Sequence, residues 1–187
     1  RARNLHKCAQ AVMEQWGGAF PKTAQELETL PGIGRSTAGA ISSFCFSEQV
    51  PILDANVRRV LTRVLGFDGD LAQSKNEKQL WVHAQALCPT ENLHEAMPRY
   101  TQGLMDLGAT LCVPRNPSCL VCPLHTQCRA AQHGNPQSYP VKTRKTKRSS
   151  QAWWLLVLRD AAGHVCLQRR PSSGGDTGIW AGLFSPP

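Results

Sequence analysis

What the sequence lacks narrows it first. No apolar run approaches the roughly 20 residues a helix needs to cross a bilayer, so no membrane-spanning segment is expected. The start carries no basic-then-apolar stretch of the kind that directs secretion, which points to a reducing, cytoplasmic compartment. Alternation with period two is absent up to Leu111, so strands are not expected there. Acids are scarce: 13 Asp and Glu face 21 Lys and Arg, a formal charge of +8. An initiating methionine is missing too. The chain begins at Arg1 and ends at Pro187 with no visible stop signal, and truncation at both ends is expected.

What is present is ordinary in bulk and uneven in detail. Hydrophobic residues at 41% and charged residues at 18% suit a folded globular chain, not a disordered one. The basic excess concentrates after Cys128, in Arg129, Lys142, Arg144, Lys145, Lys147 and Arg148, with no acid among them before Gln151. Without those six, 15 basic residues face 13 acids, so the remainder is nearly neutral. Such a strip suits a polyanion, because each phosphate contact releases condensed counterions; a solvated linker kept soluble by its lysines is the plainer alternative.

Apolar spacing predicts a chain of helices. Leu5, Cys8, Ala9, Val12, Met13 and Trp16 share one helical face, and Gly17 with Gly18 stops it. Thr23 and Glu26 form a capping box before Leu27 and Leu30. Further helices are expected through Ala38, Ile41 and Cys45, from Asp54 through Val64, and along two later stretches ending near Leu107. The pattern changes after about Gln151. Residues 153–158 and 165–167 read as strands around the turn Asp160 to Gly163, followed by a glycine-rich loop over residues 173–178. The expected organisation is a helical core over 1–111, a cysteine loop over 112–128, a basic linker over 129–150 and a partial α/β domain over 151–187.

Three motifs carry chemistry. Leu30 is followed by Pro31, Gly32, Ile33, Gly34, Arg35, Ser36 and Thr37, a glycine turn between two helices. Glycines let the backbone approach a ligand, and the second helix offers unpaired N–H groups and its positive end to a phosphate. Such a contact positions DNA without reading a base. The alternative is a helix corner in which glycine only permits the bend. Next, Cys112, Cys119, Cys122 and Cys128 lie within one short segment, enough thiolates for an iron–sulfur cluster. Zinc also takes four cysteines, and a redox Cys-x-x-Cys would leave Cys112 and Cys128 unexplained. The other four cysteines, Cys8, Cys45, Cys88 and Cys166, are scattered and read as small core residues. Finally, Asp54 precedes an apolar helix, where it suits an N-cap, and Asn56 stands two residues on. A carboxylate in that place can also stabilise a cationic sugar, as glycoside hydrolysis requires, and Asn56 could hydrogen-bond and orient it.

In this order the three motifs resemble the helix–hairpin–helix base-excision glycosylases, a superfamily that includes endonuclease III, and within it the MutY-type adenine glycosylases. The resemblance runs over essentially the whole chain, from Arg1–His6 to Gly178–Phe184. It implies a mainly α glycosylase domain with a hairpin at about residues 30–40, a [4Fe-4S] cluster loop, and the start of a Nudix-like α/β domain. Asp54 is then the carboxylate at the sugar, with Asn56 supporting it. Residues 31–37 hold the DNA backbone while adenine is flipped from the stack, and Cys112, Cys119, Cys122 and Cys128 hold the cluster. The implied partner is double-stranded DNA with adenine opposite 8-oxoguanine or guanine, bound by a monomer at the bacterial nucleoid. Endonuclease III has a lysine where this chain has Ser36, so no Schiff base can form and strand cleavage is not expected. The family has glycine where this chain has Ala55, a change expected to be tolerated. Its catalytic glutamate and wedge residues lie upstream of the segment matching Arg1, so residues 1–187 alone are expected not to excise adenine.

Overall fold

The computed structural model describes residues 1–143, 150, 152, 154–171 and 181–187. The chain divides into two compact units, Arg1–Lys145 and Thr146–Pro187. The first is helical throughout: α1 (Ala2–Trp16), α2 (Ala24–Leu27), α3 (Arg35–Phe46), α4 (Ala55–Leu65), α5 (Ser74–Ala86), α6 (Leu93–Thr110) and α7 (Arg129–Gln132), with short 3₁₀ turns after α6.

The sequence accounts for where these helices begin and stop. Thr23 caps α2, its hydroxyl oxygen accepting from the Glu26 amide, as the capping box predicts. Asp54 caps α4 in the same way. Gly17 and Gly66 close α1 and α4 in the left-handed conformation that glycine adopts without a Cβ clash. Two apolar clusters result. One gathers Cys8, Val12, Leu27, Leu30 and Ala38 under the hairpin, joining α1, α2 and α3. The larger gathers Leu53, Val57, Val60, Leu80, Trp81 and Leu104 around α4.

Helix α3 packs through small residues. Its buried side chains are Ala38, Gly39, Ser42 and Ser43, which lets neighbouring backbone come close. A Cβ on Gly39 would lie 2.6 Å from the Pro51 carbonyl oxygen, so only glycine admits the segment leading to Asp54. Buried Ser43 reaches α6, 2.7 Å from the Thr101 hydroxyl.

Two expectations need correction. Residues 129–143 do not form a linker. Ala130 in α7 is fully buried, the Leu71 amide donates to the Val141 carbonyl at 3.1 Å, and the Thr143 hydroxyl bonds Asp70. Apolar and hydrogen-bonding residues hold this stretch to the helical unit; charge density alone did not reveal them. Arg144, Lys145, Lys147 and Arg148 fall outside the described residues, as do the glycine-rich loop and Trp153.

The second unit keeps its turn but not its expected strands. Asp160 and Gly163 close the turn, and a single bridge joins Arg159 to Val165. The described strands are β1 (Gln168–Arg169) and β2 (Phe184–Ser185), antiparallel with Gln168 opposite Ser185. The residues from Trp154 to Leu158 are exposed and form no strand. Among the described residues no second face buries them, so their apolar side chains gain nothing from pleating.

Candidate functional site

The hairpin stands on the surface between α2 and α3. The Ile33 amide donates to the Leu30 carbonyl at 3.1 Å across Pro31 and Gly32, and Gly32 has φ 85°, the pairing a type II turn demands. Gly34 caps α3 with no side-chain hydrogen bond. The first amides of a 12-residue helix therefore face outward without a built-in acceptor, an anion-binding end. Gly32, Gly34, Arg35 and Thr37 are exposed, while Pro31, Ile33 and Ser36 are half-buried. The Arg35 guanidinium lies 3.9 Å over the Trp81 ring, a cation–π contact that fixes a positive charge beside the turn.

Ser36 faces inward. Its hydroxyl accepts from the Leu53 amide at 2.9 Å. On the other side of that residue, Arg58 Nε donates to the Leu53 carbonyl at 3.2 Å, and Arg58 is paired in turn with Glu77. Leu53 itself is buried. The residue before Asp54 is thus held by amide, carbonyl and side chain at once. Asp54 Oδ1 then accepts from the Val57 amide at 2.8 Å; its Oδ2 takes part in no hydrogen bond with the described residues. The half-buried carboxylate combines a cap with a second oxygen left for another partner.

Asn56 corrects an expectation. It does not bond Asp54; its Oδ1 accepts from Arg59 Nη2 at 3.0 Å. The N-cap carboxylate turns onto its own helix, whereas Asn56 lies on the stripe that Arg59 continues one turn later. Arg59 is buried and also donates to the Gly108 carbonyl at 2.7 Å and, through Nε, to the Cys112 carbonyl at 2.7 Å. Burial pulls its pKa below the ordinary arginine value, with the neighbouring Cys112 opposing. One side chain thereby ties Asn56, in the first turn after Asp54, to the first cysteine of the loop.

Arg63, one further turn along, is 1% exposed. It donates to the carbonyls of Pro136 at 2.7 Å, Val113 at 2.8 Å and Pro114 at 3.2 Å, and to Cys112 Sγ at 3.3 Å. Cys128 Sγ contacts the Arg63 carbonyl at 3.4 Å. Cys112, Cys119, Cys122 and Cys128 line a single cavity against Arg63 and His125. Burial raises the pKa of the Cys119 thiol, and the nearby Cys128, Cys112 and Cys122 raise it further. Among the described residues, no three or more His, Cys, Asp or Glu side chains form a group that could hold a metal ion.

A helix-hairpin-helix motif model matches residues 17–44, the span of α2, the glycine turn and most of α3. The chain is 38% identical over 159 residues to adenine DNA glycosylase of Buchnera aphidicola (subspecies Acyrthosiphon pisum), covering 85% of this chain and 44% of that protein. It is 42% identical over 134 residues to human adenine DNA glycosylase, covering 71% of this chain and 24% of that one. By sequence, this chain is a homologue of the adenine DNA glycosylases. It spans less than half the length of either relative. Its helical fold resembles that of a thermostable thymine-DNA glycosylase, with TM-score 0.57, 29% identity, and coverage of 71% of this chain and 58% of that one. It also resembles endonuclease III in a non-covalent DNA complex, with TM-score 0.54, 26% identity and the same coverage.

Against that homology, the arginines of α4 are what sequence reasoning passed over. Asn56, Arg59 and Arg63 recur at spacings of three and four on one helical stripe. That periodicity was open to inspection, but arginine at such a spacing ordinarily marks a solvated face. Here Arg59 and Arg63 are buried because carbonyls of α6 and of the chain beyond it surround them.

Proposed function

We propose that the protein is a monofunctional base-excision repair glycosylase that hydrolyses the N-glycosidic bond of adenine mispaired with 8-oxoguanine or guanine. The observation that carries this is Asp54. Its carboxylate caps α4 with one oxygen, keeps the other free of hydrogen bonds among the described residues, and follows a residue pinned on both sides by Ser36 and Arg58. A carboxylate fixed at a helix N-terminus, where the dipole favours negative charge, can stabilise the cationic sugar that forms as the base leaves. Asn56 contributes through Arg59, which locks the first turn of α4 against α6.

The hairpin supports the same reading. The uncapped start of α3 and the stacked Arg35 suit two adjacent backbone phosphates, contacts that hold a duplex while adenine is extruded. Ser36 carries no amine and spends its hydroxyl on Leu53, which speaks against a Schiff base and against strand cleavage. Glycosylase chemistry without a lyase step follows.

Cys112, Cys119, Cys122 and Cys128 would hold a [4Fe-4S] cluster. All four line one cavity, the number of thiolates such a cluster takes. The cluster would supply four strong cross-links within an otherwise coil-like loop, so that its binding is coupled to folding there. The chain's own residues do the rest. Arg63 anchors the loop carbonyls, and Arg59 passes the loop's position to the first turn of α4. Residues 151–187 we read as the opening of a Nudix-like domain that faces the base opposite adenine; the Asp160 turn and antiparallel pairing fit this. The working unit is a monomer on DNA.

The test uses the natural full-length protein and a labelled duplex bearing adenine opposite 8-oxoguanine. Strand breaks that appear only after hot alkali are expected, because excision leaves an alkali-labile abasic site. Breaks without alkali would mean a lyase and overturn the role given to Ser36. Tight binding with no breaks in either condition would favour the other reading of this scaffold, a non-catalytic iron–sulfur DNA-binding protein.

A further inference from the structure

The cysteine loop is built on a three-residue rhythm. The Cys122 amide donates to the Cys119 carbonyl at 3.2 Å, His125 to Cys122 at 3.0 Å, Cys128 to His125 at 3.4 Å, and Ala131 to Cys128 at 3.1 Å. Bonds of this type bring side chains three apart onto one side of the chain. All five residues of the series face the same cavity, with Cys112 joining from the end of α6. His125 therefore occupies the place in this row that a ligand would occupy, midway between Cys122 and Cys128.

One atom of that histidine has nothing to bond. Nδ1 of His125 is fully buried and, among the described residues, is the one buried side-chain nitrogen or oxygen without a hydrogen-bond partner. An imidazole nitrogen sealed from water with no partner is costly, so such orphans in native structures call for an explanation. Among the described residues no atom bonds it, and the four cysteines line the same cavity.

We infer that His125 donates a hydrogen bond from Nδ1–H to a sulfur of the cluster held by Cys112, Cys119, Cys122 and Cys128. The inference rests on the cluster assignment made above. It is not an extra ligand, since four cysteines complete the set. In the tautomer with its proton on Nδ1 the ring is a donor, and thiolate or sulfide sulfur is the acceptor. Hydrogen bonds to the sulfurs are among the factors that set such a cluster's potential. A donor stabilises the more negative, reduced form, so this histidine raises the potential of this protein's cluster.

The test uses the natural full-length protein, first assayed for iron and acid-labile sulfide, then poised paramagnetic and examined by pulsed electron paramagnetic resonance with and without ¹⁵N-histidine. A weak histidine-nitrogen coupling that changes with the label is expected. In His125→Leu that coupling is lost and the midpoint potential falls, while His125→Gln, which restores an N–H donor, returns most of the shift. Absence of any histidine coupling in the parent protein, or a strong coupling from nitrogen bound to iron, would overturn the inference while leaving the cluster standing. Zinc in place of iron and sulfide would overturn both. The parent measurement needs no variant to fold.

Discussion

The two units of this chain treat apolar side chains in opposite ways. In the helical unit Leu27, Val57, Leu80, Ala84 and Met97 are fully buried. In the second unit Trp154 is 96% exposed and the whole run from Leu155 to Leu158 lies open. Both stretches are equally apolar to a reader of the sequence. The difference is in partners: a helix buries one stripe against the next helix in the chain, whereas a strand pair must find a whole second face. The helical unit also pairs its buried arginines internally, with Arg59 and Arg63 serving seven acceptors from α4, α6, the cysteine loop and Pro136. The contrast locates rigidity around Asp54 and the loop, where the proposed chemistry needs it.

That contrast can be broken by mutation, and the largest effect is expected at Arg63. Arg63→Leu leaves the carbonyls of Val113, Pro114 and Pro136 without this donor, which at ~1–3 kcal/mol for each orphan sums to about 3–9 kcal/mol, with the lower end expected because Pro114 is exposed and the other two are half-buried. Chemical denaturation should show the helical unit weakened by that amount; a change under 1 kcal/mol would mean the loop is held by something else. Next is Gly39→Ala. Its Cβ would meet the Pro51 oxygen at 2.6 Å, and the forced shift should cost about 1–3 kcal/mol, read as a lowered melting temperature with adenine excision slowed. Ser36→Ala follows, at about 1 kcal/mol for the lost bond to Leu53. Because that bond fixes the residue before Asp54, excision rate should fall while duplex affinity holds; the reverse pattern would make Ser36 a DNA contact. The smallest effect is expected from Trp154→Ser, within about 0.5 kcal/mol, since that residue is almost fully exposed. A clear loss of stability there would erase the distinction between the units.

Much of the helical unit was legible because its signals are local. The caps at Thr23 and Asp54, the glycine stops and the Pro31–Gly32 turn each depend on residues within one turn of each other. The four cysteines were legible as a set, and the structure gathers them around one cavity. What escaped the sequence depends on distant chain. The partner of Asn56 is Arg59 and not Asp54, because α6 and Cys112 draw the guanidinium across the helix. Residues 129–143 carry a linker's composition yet are folded onto α4 and Asp70, through Ala130 and Thr143. The expected strand through Leu158 had the right residues but, among the described residues, no face to pack against.

The most direct test of the account is Asp54→Asn in the full-length protein, with single-turnover adenine excision, duplex affinity and thermal stability measured together. Asparagine is as good an N-cap as aspartate, so the bond to the Val57 amide and the fold should survive the change. The account predicts near-parental stability and affinity with excision slowed about 1,000-fold, roughly 4 kcal/mol in the barrier. An excision rate equal to the parent's would contradict it and leave Asp54 a helix cap alone.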